Sequence, residues 1–301
     1  MLHDAILTDF ETKGYFRLAH VIPADLQVKL RDLFDELMDI SIPRDGRFVY
    51  EYKDKQFVTN LDHICGSGNL GCLELLGFPP ILEIASRICG NDFFLIQEFA
   101  VIKNQGDDLP VLWHQDMVHQ RKGRCFTMGI YLDDVDAGDG ALKVVPGSHL
   151  DGRPICELSR LPAIEVPMQA GDLLIHDMML AHHSEPLNKK QLRRVIYFEF
   201  LSAAHVAEEN IYTPELVERR TRLHHLAIRY YKELHPEAAG FKGHYSHLFP
   251  DDLSKPVSTV LSEIYAFPIN ARPSAYCIEQ QNIFLLLSNL IFLFFQIKVH
   301  W

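Results

Sequence analysis

The stretch VLWHQDMVHQ, residues 111–120, carries His114, Asp116 and His119 in a segment otherwise suited to a half-buried β-strand. In a strand, residues i and i+2 share a face, so His114 and Asp116 project together while Gln115 points the other way. A converging imidazole and carboxylate are metal-ligand chemistry, and they need a further donor from elsewhere in the chain. On its own the HxD pattern is unspecific, since an edge-strand pair sharing a hydrogen bond looks the same. The missing donor has candidates in GDLLIHDMMLAHHSEPLNKKQLRRVIYFEF, residues 171–200. This segment reads as a turn at Gly171 and Asp172, a strand, a loop holding His182, His183 and Ser184, and a final strand opening with Arg193 and Arg194. A loop histidine closing on His114 and Asp116 leaves coordination positions open, the arrangement that non-haem Fe(II) oxygenases use. Zinc is the competing metal, although a hydrolytic zinc site more often shows HExxH or a further protein ligand at close spacing. His119 and His176 read as surface or supporting side chains. PGSH (146–149) reads as a structural Pro-Gly turn, with His149 outside the ligand set.

The elements that must position these residues follow from punctuation and periodicity. Between residues 93 and 201, seven short strand candidates (93–103, 111–117, 125–134, 141–145, 163–168, 172–178 and 193–201) are separated by Gly, Asp, Asn and Pro clusters. That pattern predicts a mainly β fold with flanking helices, a sandwich or barrel rather than alternating βαβ units. No GxGxxG or GxxxxGK[ST] supports a nucleotide-binding α/β fold. Upstream, a short helix stopped at Gly14, a brief strand at 15–18 and a helix carrying Leu26, Leu30, Leu33, Phe34 and Leu37 are expected, then an irregular segment over 40–80 and a helix ending at Gly90. Downstream, Thr213 and Pro214 form a cap and first-turn proline for a helix running to Pro236. That helix and the segment 40–80 are the candidate lids over the barrel mouth.

Composition narrows the class. With 301 residues, 48% of them hydrophobic and 23% charged, the chain is ordinary for a globular protein. A net charge of −11 argues against a nucleic-acid partner. The six cysteines form no CxxC pair, so disulfides are not required and a reducing, cytoplasmic setting is the simpler expectation; the N-terminus lacks the features of a signal peptide. The domain is expected to span 1–275, with a β core at 93–202 and helical cover at 1–92 and 205–270. An apolar tail, 276–301, follows. Its run IFLLLSNLIFLFFQI (283–297) is shorter than the ~20 residues that span a bilayer, which makes membrane contact the lesser expectation.

The pieces LWHQD (112–116), GALKVVPGSH (140–149) and GDLLIHDMMLAHHS followed by Arg193, with the opening FETKGYFRLAHVIPADLQVKLRDLFDEL (10–37), resemble the phytanoyl-CoA dioxygenase (PhyH-like) family of Fe(II)- and 2-oxoglutarate-dependent oxygenases. The resemblance runs from about residue 5 to 202 and not into the apolar tail. It implies a double-stranded β-helix core of the jelly-roll, cupin-like kind. Fe(II) is implied as metal, 2-oxoglutarate as co-substrate, ascorbate as a supporting reductant, and dioxygen and a small molecule as the other reactants.

Carried over position by position, the resemblance implies His114, Asp116 and His182 as iron ligands. It implies Arg193 as the partner of the 2-oxoglutarate distal carboxylate, where guanidinium geometry permits a bidentate pair. Ser184 is the hydroxyl beside that carboxylate, and Phe99 lines the co-substrate pocket. Relatives with a tryptophan on the strand after HxD have Gly129 at that position here, leaving a wall that is open or supplied by Thr127 or Tyr131. The doubled pairs His182/His183 and Arg193/Arg194 leave a one-residue ambiguity, and the H-x-S spacing favours the first of each. A halogenase would replace Asp116 with a small residue, so hydroxylation is the favoured outcome, with desaturation, epoxidation and cyclisation starting from the same hydrogen abstraction. The rivals are a non-catalytic metal-binding jelly roll and a zinc-dependent cupin-type hydrolase or isomerase.

Overall fold

A computed structural model describes residues 4–67, 69–117, 123–190, 192–209, 212–241, 249–267 and 274–278. The tail run 283–297 and His119 lie outside the described residues. The elements in chain order begin with α1 (Asp4–Lys13), β1 (Tyr15–Leu18), α2 (Ala24–Met38), β2 (Arg47–Tyr52), β3 (Lys55–Asp62), α3 (Gly71–Leu76) and α4 (Pro79–Cys89). Next come β4 (Phe93–Asn104), β5 (Val111–Gln115), β6 (Cys125–Tyr131), β7 (Leu142–Val144), α5 (Ile155–Leu158) and β8 (Ile164–Val166). Last are β9 (Leu173–Asp177), β10 (His182–Ser184), β11 (Leu192–Ser202), α6 (Ala203–Glu209), α7 (Pro214–Leu234), α8 (Val257–Tyr265) and β12 (Ala275–Tyr276).

The strands form a seven-stranded sheet, β1-β9-β6-β11-β4-β3-β2, facing a five-stranded sheet, β12-β5-β10-β7-β8, with every pairing antiparallel. This is the mainly β sandwich expected from the spacing of the strands, in the jelly-roll form that the family resemblance implies. Alternation along β11 divides the interior. Ile196, Phe198 and Phe200 enter the main core beneath the helices, whereas Val195 and Tyr197 face the smaller sheet. The spacing of Leu26, Leu30, Leu33, Phe34 and Leu37 puts all of them on one face of α2, and all are buried in the main core.

Some expectations need correction. The segment 40–80 is not irregular: β2 and β3 pair as a hairpin that extends the larger sheet beyond β4. His182–Ser184 is a strand, β10, bonded to β5 and β7, rather than a loop. Three residues between turn-like neighbours give too short a run for an alternation pattern to register. Helix α7 has the expected Thr213 cap, with the Thr213 hydroxyl accepting from Leu216 N at 3.3 Å. Its buried Leu223, Leu226 and Ala227 pack into the main core rather than across the cavity between the sheets, so it is no lid there. Gly171 takes φ +88° in the turn before β9, where its carbonyl accepts from the amides of Val21 and Ile22.

The sequence does not require a disulfide, but one is present: Cys156 and Cys277 are joined across a sequence separation of 121, with Cα atoms 4.8 Å apart, while Cys65, Cys72, Cys89 and Cys125 are buried thiols outside any disulfide. No spacing rule links cysteines so far apart in a chain; only the approach of α5 to the last strand does. No described helix is long and apolar enough to cross a membrane.

Thiol titration in denaturant is expected to find four reactive thiols before reduction and six after. Reduction should also lower the midpoint of guanidinium unfolding, with a ceiling of about 5 kcal/mol from loop-closure entropy. Six thiols without reductant, or an unmoved midpoint, would remove the bond.

Candidate metal and co-substrate site

The two sheets bring the ligand candidates together. His114 on β5 and His182 on β10 are cross-strand partners, and their rings lie 4.0 Å apart, centroid to centroid. Asp116 follows the end of β5, where its amide donates to the carbonyl of Met178 at 2.8 Å. One carboxylate oxygen, Oδ1, lies 3.4 Å from His114 Nε2 and 3.6 Å from His182 Nε2. One ligand atom from each of the three residues lies within 4.8 Å of the others, a group able to hold a metal ion.

The tautomers suit that role. His114 Nδ1 is 2.7 Å from the carbonyl of Leu112 and His182 Nδ1 is 2.8 Å from that of Leu180. A carbonyl only accepts, so each Nδ1 carries the proton and each Nε2 presents its lone pair toward Asp116. Burial, then His114, holds the His182 pKa well below the ordinary imidazole value. Burial alone would raise the Asp116 carboxyl, but His182, His114 and His176 outweigh it and hold the pKa well below the carboxylate range. Neutral imidazole with ionised carboxylate is the protonation state in which these residues bind metal.

The other carboxylate oxygen is held from the larger sheet. Asp116 Oδ2 accepts from Thr127 Oγ1 at 2.7 Å and from His176 Nε2 at 3.0 Å. The supporting role expected of His176 thus has a geometry. Thr127, expected as a pocket wall, lines the cavity and also orients the carboxylate. His149 sits elsewhere, 3.2 Å from the carbonyl of Glu11.

Beyond the triad a cleft of about 370 Å³ extends between the sheets, lined by Phe99, Ser184, Arg193 and Tyr197 among others. Arg193 is 1% exposed, yet its guanidinium has no carboxylate partner among the described residues. Nη2 donates to Tyr197 Oη at 3.4 Å, the group lies 5.6 Å from the Tyr131 ring centre, and Nε has no hydrogen-bond partner. Its cross-strand neighbour Lys103 is also buried, with Nζ donating to the carbonyls of Leu109, Ser184 and Glu185. Burial, then Arg193, pushes Lys103 down to about 7. A buried guanidinium without a counter-ion is costly, and a bound carboxylate is the partner that its geometry fits.

Alternation sends the two members of each doubled pair to opposite faces. His183 turns from the triad to stack on Trp113 with centroids 4.0 Å apart. Arg194 points to the other face, where it pairs with Asp133 through Nε and Nη2 and with Asp35. The gap anticipated at Gly129 is closed mainly by Tyr197: a Cβ there would lie 3.1 Å from the Tyr197 ring and 3.4 Å from that of Tyr131. Phe99 stacks on Tyr197 at 5.2 Å. Sequence reasoning missed Tyr197 and Tyr276. Tyr197 stands four residues after Arg193 on the same strand face, a signal present in the sequence. Tyr276, stacked on His114 at 4.9 Å, comes from an edge strand too short to recognise.

A jelly roll with a His-Asp-His group between its sheets and a buried, unpaired arginine beyond it defines the class of cupin-like oxygenases. The family model for phytanoyl-CoA dioxygenase (PhyH) matches residues 10–195, and the chain belongs to that family of Fe(II)- and 2-oxoglutarate-dependent oxygenases. L-proline trans-4-hydroxylase of Streptomyces griseoviridis is 25% identical over 145 residues, 46% of this chain and 52% of the relative. The chain thus spans about half the length of that curated relative. Among solved structures, AviO1 from Streptomyces viridochromogenes Tue57 superposes with a TM-score of 0.61 at 23% identity, covering 67% of this chain and 96% of AviO1. The non-heme alpha-ketoglutarate-dependent carbocyclase SnoK from nogalamycin biosynthesis gives 0.58 at 20% identity, over 71% and 92%. These two likenesses are of fold.

His182→Ala is expected to abolish tight metal binding in equilibrium dialysis with Fe(II), while His183→Ala retains it. Thr127→Val and His176→Ala should each weaken the metal by about 10- to 100-fold, as loss of a ligand-orienting hydrogen bond does. Equal losses in the two histidine variants would reverse the assignment.

Proposed function

We propose that this protein is an Fe(II)- and 2-oxoglutarate-dependent dioxygenase that oxidises an unactivated C–H bond of a small molecule, with hydroxylation as the favoured outcome. The observation that carries the reading is the pairing of two features: an ionised Asp116 facing the Nε2 atoms of His114 and His182, and a buried Arg193 with no carboxylate of its own among the described residues. A structural metal site has use for the first feature and none for the second. A zinc hydrolase likewise has no need of a buried cation waiting for a dianion.

In this reading His114, Asp116 and His182 hold the iron. Arg193 grips the distal carboxylate of 2-oxoglutarate, with Ser184 beside it. When bound, iron and 2-oxoglutarate supply the activation of dioxygen, and the co-substrate leaves as succinate and CO₂. The chain supplies position and dryness. Thr127 and His176 fix the Asp116 carboxylate so that one oxygen faces the histidines. Phe99, Tyr197 and Val101 give the co-substrate apolar walls that exclude water. Retention of Asp116, rather than a small residue, supports oxygen insertion over halogenation.

Purified protein supplied with Fe(II), 2-oxoglutarate and air is expected to form succinate, and Asp116→Ala to form none above background. Arg193→Ala should weaken 2-oxoglutarate by at least about 100-fold in calorimetry, because the ligand carboxylate is then buried unpaired. Arg194→Ala, which loses Asp133 and Asp35 instead, should leave that affinity within about twofold, as expected for a residue on the opposite face. Undiminished succinate from Asp116→Ala, or unchanged co-substrate affinity in Arg193→Ala, would overturn the proposal.

A further inference from the structure

The row of side chains that holds Asp116 does not stop at Thr127. On the larger sheet His176 pairs with Thr127, Thr127 pairs with Glu199, and Glu199 pairs with Gln97. Arg193 and Tyr197, on the same face of β11, line the cleft, and alternation carries Glu199 onto that face. Glu199 is 9% exposed, and its carboxylate accepts no hydrogen bond and joins no ion pair among the described residues. Burial, then Asp116, pushes its pKa well above the carboxylate range, and Asp62 adds to the rise. Arg220, the buried cation that opposes the shift, is committed to Glu98 and to the carbonyl of Leu95.

A second carboxylate stands beside it. Asp62 ends β3 opposite Phe99, which in turn faces Tyr197. Its side chain also lacks a hydrogen-bond donor among the described residues, and burial, then Glu98, raises it to about 6. Arg44 donates to the main-chain carbonyl of Asp62 at 2.9 Å, not to the carboxylate. Tyr276 stacks its ring on His114 at 4.9 Å, and burial, then Asp116, pushes its hydroxyl up, with Glu199 adding to the rise. The charges are therefore unevenly placed: the buried Arg193 guanidinium in the cleft has no carboxylate partner among the described residues, and on the same face of β11 the acid group of Glu199 has no hydrogen-bonded cation among them.

We propose that Glu199, assisted by Asp62, receives a protonated amine of the substrate, so that the substrate class is a small ammonium-bearing molecule oxidised near its cationic group. The inference rests on the dioxygenase reading above and adds the substrate class to it. A bound ammonium would let the buried Glu199 give up its proton and form an ion pair, with Asp62 adding negative charge nearby, and the Tyr276 ring supplies an aromatic neighbour that favours a cation.

The test is calorimetry under argon on protein loaded with Fe(II) and 2-oxoglutarate. The probes are piperidine and hexylamine, their uncharged counterparts tetrahydropyran and hexanol, and hexanoate. The amines are expected to bind at least about tenfold more tightly than the uncharged probes, and hexanoate least, as charge complementarity requires. Glu199→Gln and Asp62→Asn should each reduce that preference while binding 2-oxoglutarate as the unsubstituted protein does. Absence of a preference for the amines in protein that binds 2-oxoglutarate would overturn the substrate class alone. So would a preference that survives in both variants. Unsubstituted protein that fails to bind 2-oxoglutarate overturns the dioxygenase reading, and the substrate class with it. Should one variant lose 2-oxoglutarate through misfolding, the other carries the result.

Discussion

A single buried negative charge organises the interior. Asp116 is ionised in a place where burial alone would neutralise it, because the three imidazoles around it outweigh the burial. Its two oxygens are served by different sheets: Oδ1 faces His114 and His182 of the smaller one, and Oδ2 accepts from Thr127 and His176 of the larger one. The carboxylate thereby links the two layers at the depth where a metal would sit. Removing either set of partners would leave a charge uncompensated between two apolar walls, a far larger penalty than the loss of one hydrogen bond. Each ligand histidine commits its Nδ1 proton to its own main chain, which leaves Nε2 as the atom that faces Asp116.

Strand alternation then distributes the remaining charges. Arg193 and Arg194 are adjacent in sequence and both buried, but their duties are opposite. The first enters the cleft without a carboxylate, and the second is neutralised by Asp133 and Asp35 on the outer side. His182 and His183 divide in the same way. A two-residue period converts a run of like residues into one functional group and one packing group, which is why a one-residue register slip in β10 or β11 would exchange them. Lys103 can share the Arg193 end only because three carbonyls surround its amine and its protonated form is easily given up there.

Much of this was legible before any coordinates. The strand spacing from 93 to 201 carried a sandwich or barrel, and the HxD, PGSH and H-x-S order carried the family resemblance that implied the jelly roll and the metal-binding group, because alternation and short-range motifs are local properties. What was not legible depends on contacts distant in sequence. The 40–80 segment is rich in turn residues and offers no clean alternation, so the β2–β3 hairpin emerges only when β4 provides an edge for it to join. Asp62, at the end of that hairpin, was invisible as a site residue for the same reason. The Cys156–Cys277 bond and the stacking of Tyr276 on His114 depend on a two-residue strand, shorter than any period that a sequence can display.

The last strand therefore has more structural weight than its length implies. The family match ends at residue 195; the metal-binding group and Arg193 lie before that position, and Tyr197, which lines the cleft beside Arg193, lies just after it. Glu199 and Tyr276 lie beyond it. β12 adds to β5 by pairing Tyr276 with His114 and Ala275 with Gln115, and the Cys277 amide donates to the carbonyl of Trp113. A strand of that size cannot hold its place by ladder hydrogen bonds alone, since ordering each residue costs on the order of 1–2 kcal/mol and each bond returns about 1. The disulfide to α5 offsets that deficit by shortening the chain that must be ordered. The aromatic ring over His114 is thus held by a covalent tie that runs from Cys277 back to Cys156, a residue within the matched region.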